Sequence, residues 1–230
     1  MRIAGDPTLD NPRQESNRLA VAPRPGWRRR VFGPAMHHDQ RRDAILAAAE
    51  QLFRHYGPTK TTMADIAREA GVGVGSVYLE FACKDALIEA LSSARHSAVL
   101  DAMRSALGDR PGPWSVRFRA MLDARVAALL DAAEAGAHAC DLVQCGLGAV
   151  QATYARFRSD EARLVADLLR EAQAAQEFAP GDPETAAHTV LTAYAAYDPP
   201  RVFETPRAEV WARLQATHDL VLFGLLRRPG

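Results

Sequence analysis

The chain predicts an all-α protein, built from an N-terminal three-helix head and a larger C-terminal helical body. Three observations point there. Nearly half of the 230 residues are apolar (48%), and alanine and leucine, good helix formers, dominate them. Apolar residues recur at helical spacing in one segment after another, with glycine and proline pairs between the segments. Between Thr61 and Lys84 two short helical patterns flank an Ala-Gly-Val-Gly break, the spacing of a helix-turn-helix.

Composition bounds the function classes. No run of 18 apolar residues occurs, so no membrane span is expected. The N-terminus lacks the apolar centre of a secretory signal. Three cysteines do not make a disulfide scaffold, and a reducing cytoplasm is the simplest setting. Formal charge sums to zero but is unevenly spread. Residues 1–36 hold seven arginines against three acids, 37–84 balance six against six, and 85–230 hold fifteen basic residues against nineteen acids. A basic end and an acidic remainder suit a protein that meets phosphate with one end only. The helix-turn-helix itself is neutral, so its case rests on residue placement.

Residues 1–36 carry five prolines and Arg28-Arg29-Arg30 without apolar periodicity, which predicts a disordered basic tail. Such a tail is either an arm that touches DNA or a leader ahead of a start at Met36. Residues 37–84 are expected to form the head and 85–230 the body. In the first helix, His37 to Tyr56, Ile45, Leu46, Ala49, Leu52, Phe53 and Tyr56 form one broad stripe, ended by Gly57-Pro58. Thr62 caps the next helix, with Asp65 reaching back as the carboxylate of a capping box. Gly71 stands where the helix end wants φ > 0. Val74 to Phe81 makes the recognition helix, with Val77 and Phe81 on one side.

Lys84 opens a long helix to about Leu107, whose buried face is expected to use Leu87, Ile88, Leu91, Ala98 and Ala102. After the loop Gly108–Pro113, a helix from Trp114 stops near Gly136. A short helix is expected around Ala139 to Cys145 and a long one from Val150 to about Ala175. Asp182-Pro183-Glu184 starts a helix to Tyr197, and Thr205-Pro206 opens a last one, Arg207 to Leu226. That last helix looks apolar on more than one side, because Leu220, Phe223 and Leu226 widen its stripe. A helix of that kind buries two faces, so a two-fold dimer through the last two helices of each chain is expected.

Several other chemistries fit poorly. Gly71-Val72-Gly73-Val74-Gly75 follows a helix, whereas a nucleotide loop follows a strand. Cys140 and Cys145 lie on different sides of a helix, and His138 beside them adds no metal pattern. No spacing of catalytic residues stands out, so neither enzyme activity nor a cofactor is expected.

The stretch Ile66-Ala67, Ala70-Gly71-Val72, Gly73, Gly75-Ser76-Val77-Tyr78, Phe81 and Lys84, with the helix Ile45 to Gly57 before it, resembles the TetR family of bacterial transcriptional regulators. The match covers about Arg41 to Leu91, roughly a fifth of the chain. The resemblance implies a dimeric, ligand-responsive regulator, most often a repressor, on a palindromic double-stranded operator. It implies that Tyr78 and Lys84 hold DNA phosphates, and that Arg41 and Arg42 lie where family members touch a phosphate. A tyrosine hydroxyl and a lysine at a helix start both suit phosphate oxygens. Val74, Gly75 and Ser76 face base edges in this register, and Thr62 and Met63 join them at the entry to the groove. In the body the family encloses a small-molecule effector; Trp114, Phe118, Met121, Tyr154, Phe157 and Tyr194 are the candidates to line it.

Three positions depart from the family pattern. Gly73 and Cys83 stand where side-chain caps are usual, and Glu80 puts an acid near the expected phosphate path. Two alternatives remain. One is an all-helical ligand-binding protein or enzyme with a vestigial DNA-binding head. The other is a protein–protein module whose helix-turn-helix packs on a partner.

Overall fold

The computed structural model describes residues 37–108, 112–134, 148–178 and 181–225; the tail expected at 1–36 and the short helix expected at Ala139–Cys145 lie outside them. The described residues form helices α1 (His38–Tyr56), α2 (Met63–Glu69), α3 (Val74–Glu80), α4 (Lys84–Gly108), α5 (Trp114–Glu134), α6 (Gly148–Ala174), α7 (Pro183–Ala193), α8 (Arg201–Glu204) and α9 (Arg207–Leu225). None of them is long and apolar enough to cross a membrane.

The sequence stops and starts act as expected. Thr62 and Asp65 close the capping box on α2, each side chain bonded to the other's backbone N–H. At the far end Gly71 takes φ 69°, Val72 N–H donates to Ala67 O at 3.0 Å, and Gly71 N–H donates to Arg68 O at 3.3 Å. That is the Schellman pattern, which needs a left-handed residue at this point. Asp182 accepts from Thr185 N–H ahead of Pro183 and so opens α7. The helix expected to run to Tyr197 ends at Ala193 and continues as a 3-10 turn, Ala195–Tyr197. The four-residue α8 then precedes Thr205, whose hydroxyl donates back to Arg201 O at 3.1 Å.

Two hydrophobic clusters organise the chain. The first gathers Ile45, Ala49 and Phe53 of α1, Ile66 and Ala67 of α2, Val77 of α3 and Phe81, and it continues onto Leu87, Ile88 and Leu91 of α4. The second joins Val99, Leu100 and Met103 of α4 to the apolar stripes of α5, α6, α7 and α9. Helix α4 is therefore the shared element: its first three turns serve one core and its later turns the other. At 25 residues it is about 37 Å long. Its expected buried face is corrected in the second half. Ala98 is exposed and Ala102 only half-buried, while Val99, Leu100 and Met103 turn inward. The larger side chains win the interior because they remove more apolar area from water.

Candidate functional site

The recognition helix is short, and one side of it is anchored. Val77 is fully buried, and Phe81 just past its end is nearly so. The opposite side is bare: Val74 is 42% exposed, Tyr78 51% and Leu79 82%. Gly75 is also exposed, and a Cβ built on it would meet nothing within 4 Å. No contact inside the chain thus requires glycine there, and the backbone stays open to close approach from outside. Ser76 is half-buried. Gly73 caps α3 with no side-chain hydrogen bond.

What holds this helix in place is largely electrostatic. The Glu80 carboxylate at its end accepts from Arg41 Nε at 2.8 Å and Nη2 at 2.6 Å. His38 Nε2 lies 3.0 Å from its other oxygen. The Glu80 side chain is only 1% exposed. The expectation of an acid on the phosphate path is thereby corrected: Glu80 is folded under α1, and Arg41 balances its charge. A guanidinium has five N–H donors, so Arg41 keeps three after this pairing. Arg42, one residue on, lies over the Phe81 ring at 4.4 Å, a cation–π contact that braces the same corner.

Lys84 has a comparable structural task. Its ammonium donates to Pro58 O at 2.8 Å and to Thr61 O at 3.2 Å. The Thr61 hydroxyl in turn donates to Gly57 O at 3.0 Å. The lysine thus ties the α1–α2 connection to the start of α4 and keeps one N–H bond. Thr62 is exposed but its hydroxyl serves the cap, donating to Asp65 Oδ2 at 2.6 Å and accepting from Asp65 N–H at 3.2 Å. These bonds from Thr62, with Arg68 adding to them, hold the Asp65 carboxyl below its ordinary range. Met63 is not on the open face: it is 8% exposed, and its side chain belongs to the first core. A thioether at the first helical position has to face either the groove or the interior, and the gap beside Ile66 takes it.

The six candidates in the body cluster differently. Trp114, Phe118, Met121, Phe157 and Tyr194 are all buried in the second core, with Tyr154 half-buried against it. Trp114 meets Phe118 edge-on at 5.8 Å, and Phe118 meets Tyr194 at 6.2 Å. Tyr154 and Phe157 form a second group with His96, which stacks on Phe157 at 4.8 Å. Burial and, after it, the nearby Asp198 carboxylate push the Tyr154 phenol above its ordinary pKa.

Between these aromatics lies a charged network that the sequence reading overlooked. Arg125 is 1% exposed and pairs with Glu161, itself fully buried, and with Asp198; Arg158 pairs with the same two carboxylates. Burial opposes the charge on Arg125, but Glu161 and Asp198 outweigh it and hold the guanidinium above its ordinary pKa. A signal was present. Arg125 falls four residues after Met121 and four before Leu129, and Glu161 falls between Phe157 and Val165, so both occupy stripe positions. A second overlooked group is Tyr194 hydroxyl to His218 Nδ1 at 2.6 Å, with His218 Nε2 to Asp123 at 3.0 Å. His218 is fully buried, and it too stands in the stripe of α9, between Leu214 and Leu222. Leu79 was missed for the opposite reason: exposure of an apolar residue has no periodic mark.

On the outer side of α7 and α9 the surface is apolar. Leu220 is 76% and Phe223 73% exposed. Beside them runs an open groove of about 550 Å³, lined by Ala186, Thr189, Val190 and Ala193 of α7 and Leu220 and Val221 of α9.

Residues 45–91 match the family model described as bacterial regulatory proteins, tetR family. Over 55 residues the chain is 44% identical to the HTH-type transcriptional regulator TtgR of Pseudomonas putida, an alignment covering 24% of this chain and 26% of TtgR. It is 32% identical over 74 residues to the uncharacterized HTH-type transcriptional regulator YvdT of Bacillus subtilis, covering 32% of this chain and 38% of YvdT. The chain thus spans about a quarter to two fifths of these relatives. Among solved structures, one described as a putative tetR family transcription regulator from Shewanella sp. PV-4 superposes with a TM-score of 0.59 at 25% identity, covering 82% of this chain and 99% of that one.

Proposed function

The chain belongs to the TetR family of bacterial regulatory proteins, and from that premise we propose that it is a dimeric, DNA-binding transcriptional regulator of the cytoplasm, released from its operator by a small molecule. Residues 37–84 act as the DNA-binding head and 85–230 as the body that binds effector and partner. The observation that carries this reading is the one-sided recognition helix. Val77 is sunk in the core while Val74, Gly75, Tyr78 and Leu79 stand bare, and nothing in the chain covers them. Such a face suits the floor and wall of a major groove: Val74 and Leu79 offer apolar contact to thymine methyls, Ser76 a hydrogen bond, and Tyr78 a phosphate contact. Arg41, Arg42 and Lys84 each have an internal task and retain N–H donors for phosphates.

The dimer reading is supported by the exposed Leu220 and Phe223 and the groove between α7 and α9. A second copy covering this face through a two-fold axis would make a four-helix interface. It would set two recognition helices about 34 Å apart, one turn of DNA. The effector would enter the aromatic and charged interior of the body around Tyr154, Phe157 and Tyr194. Helix α4, whose residues belong to both cores, would carry the change to the head, for which a coupling of about 1–3 kcal/mol suffices.

The test is a gel shift with the purified chain and the DNA upstream of its own gene. A shift is expected, weakened by Tyr78→Phe and by Lys84→Ala; no shift with any DNA at low salt would sink the regulator reading. Sedimentation should give a dimer at micromolar concentration.

A further inference from the structure

Helices α4 and α5 lie side by side, yet they do not close on one another along their whole length. Where Ala94 and Ala98 of α4 face Ala128 and Ala132 of α5, four methyl groups stand where larger side chains would interdigitate. The space left is a groove of about 280 Å³, with Leu91 and Val99 as its apolar wall. Ala94 and Ala98 are exposed, so the groove opens to solvent along α4. The volume lies just below the usual range for small-molecule sites, about 300–1,000 Å³, and suits a molecule of one or two rings.

Arg95 forms the polar end of the groove. Its side chain is 13% exposed and already engaged twice. Nη2 donates to Glu50 of α1 at 2.8 Å, and Nη1 donates to Ala132 O at 3.3 Å. Ala132 lies in the last turn of α5, where carbonyls lack partners within the helix. The remaining donor, Nε, is buried without a hydrogen-bond partner. An unmade bond on a buried charged group costs about 1–3 kcal/mol or more, so this N–H is a standing demand for an acceptor.

We propose that this groove is a small-molecule site, separate from the interior of the body, that takes a flat, uncharged molecule bearing one oxygen acceptor for Arg95 Nε. The apolar walls select the ring and the orphan donor selects the oxygen. Neutrality follows from Glu50: its carboxylate already balances Arg95, and an anion entering beside it would meet a like charge. A molecule seated here touches α4, α5 and the arginine that holds α1. It therefore bears on the joint between the first helix of the head and the body.

The test titrates the full-length, isotopically labelled chain with benzamide, an uncharged ring with one carbonyl, and in parallel with benzoate, its charged counterpart of the same shape. No DNA is present, so failure here and failure of the regulator reading are separate outcomes. Saturable chemical-shift changes are expected at Ala94, Ala98, Ala128, Ala132 and the Arg95 Nε–H, with benzoate binding more weakly. Ala98→Leu fills the groove from an exposed helical position that leucine tolerates, and it should remove binding with an unchanged circular dichroism spectrum. Arg95→Gln should weaken binding about tenfold, the equivalent of one hydrogen bond from a charged donor. The proposal is overturned by the absence of saturable shifts up to the solubility limit, by undiminished binding in Ala98→Leu, or by benzoate binding as tightly as benzamide.

Discussion

Head and body use charge in opposite places. In the head, the Arg41–Glu80 pair, the Arg42–Phe81 contact and the Lys84 ammonium sit at the seams between helices. They leave the interior apolar and one face of α3 empty. In the body, Arg125 and Glu161 sit in the interior itself, among aromatics. The contrast teaches a division of labour. A domain of three short helices has too little apolar area to fix its geometry by packing alone, so it pins its seams. The larger body has apolar area to spare, and it can absorb the desolvation of a buried ion network. Such a network contributes little net stability when whole but is expensive to break in half.

The largest effect should therefore come from halving the body's network. Arg125→Met leaves the fully buried Glu161 with only Arg158 as a partner, and should cost about 3–5 kcal/mol in chemical denaturation. The paired change Arg125→Met with Glu161→Leu should recover most of that loss. If the single change costs less than 1 kcal/mol, the interior is wetter than the contrast requires. At the seam of the head, Glu80→Gln keeps the shape and removes the charge that Arg41 and His38 face. The expected loss is about 1–2 kcal/mol, read as a lower unfolding midpoint of the head.

A smaller loss is expected at the entry to the helix-turn-helix. Thr62→Ala removes one half of the capping box and should cost about 1 kcal/mol. The same box carries a pH signature. Thr62 holds the Asp65 carboxyl below its ordinary 3.8, and Thr185 does the same for Asp182 at the start of α7. With a depressed folded pKa, each cap contributes its stability above pH 3.8 and loses it as pH falls through the folded value. Asp65→Asn and Asp182→Asn should flatten the fall of the unfolding temperature over that acid range. The smallest effect on stability belongs to Leu79→Ser. At 82% exposure it should change folding by less than about 0.5 kcal/mol, while weakening the gel shift. A stability loss beyond that would mean that Leu79 packs against something in solution.

The amino-acid order by itself determined the helices, their ends and the register of the helix-turn-helix. Those features rest on local chemistry: the Thr62–Asp65 cap, the left-handed Gly71, the Asp182-Pro183 start and the 3.6-residue stripe are interactions between near neighbours. Which side chain of a small set turns inward, and which charge meets which, only the tertiary structure decided. Glu80 read as an acid on the open face because its partner, Arg41, is 39 residues away; Met63 read as a groove residue because the cavity that takes it is built by other helices. Arg125, Glu161 and His218 stood in apolar stripes and signalled burial, but their partners come from separate elements. The groove beside Arg95 has no linear signature at all. It exists because alanines of two helices fall opposite one another, and that coincidence is a property of packing, not of either helix.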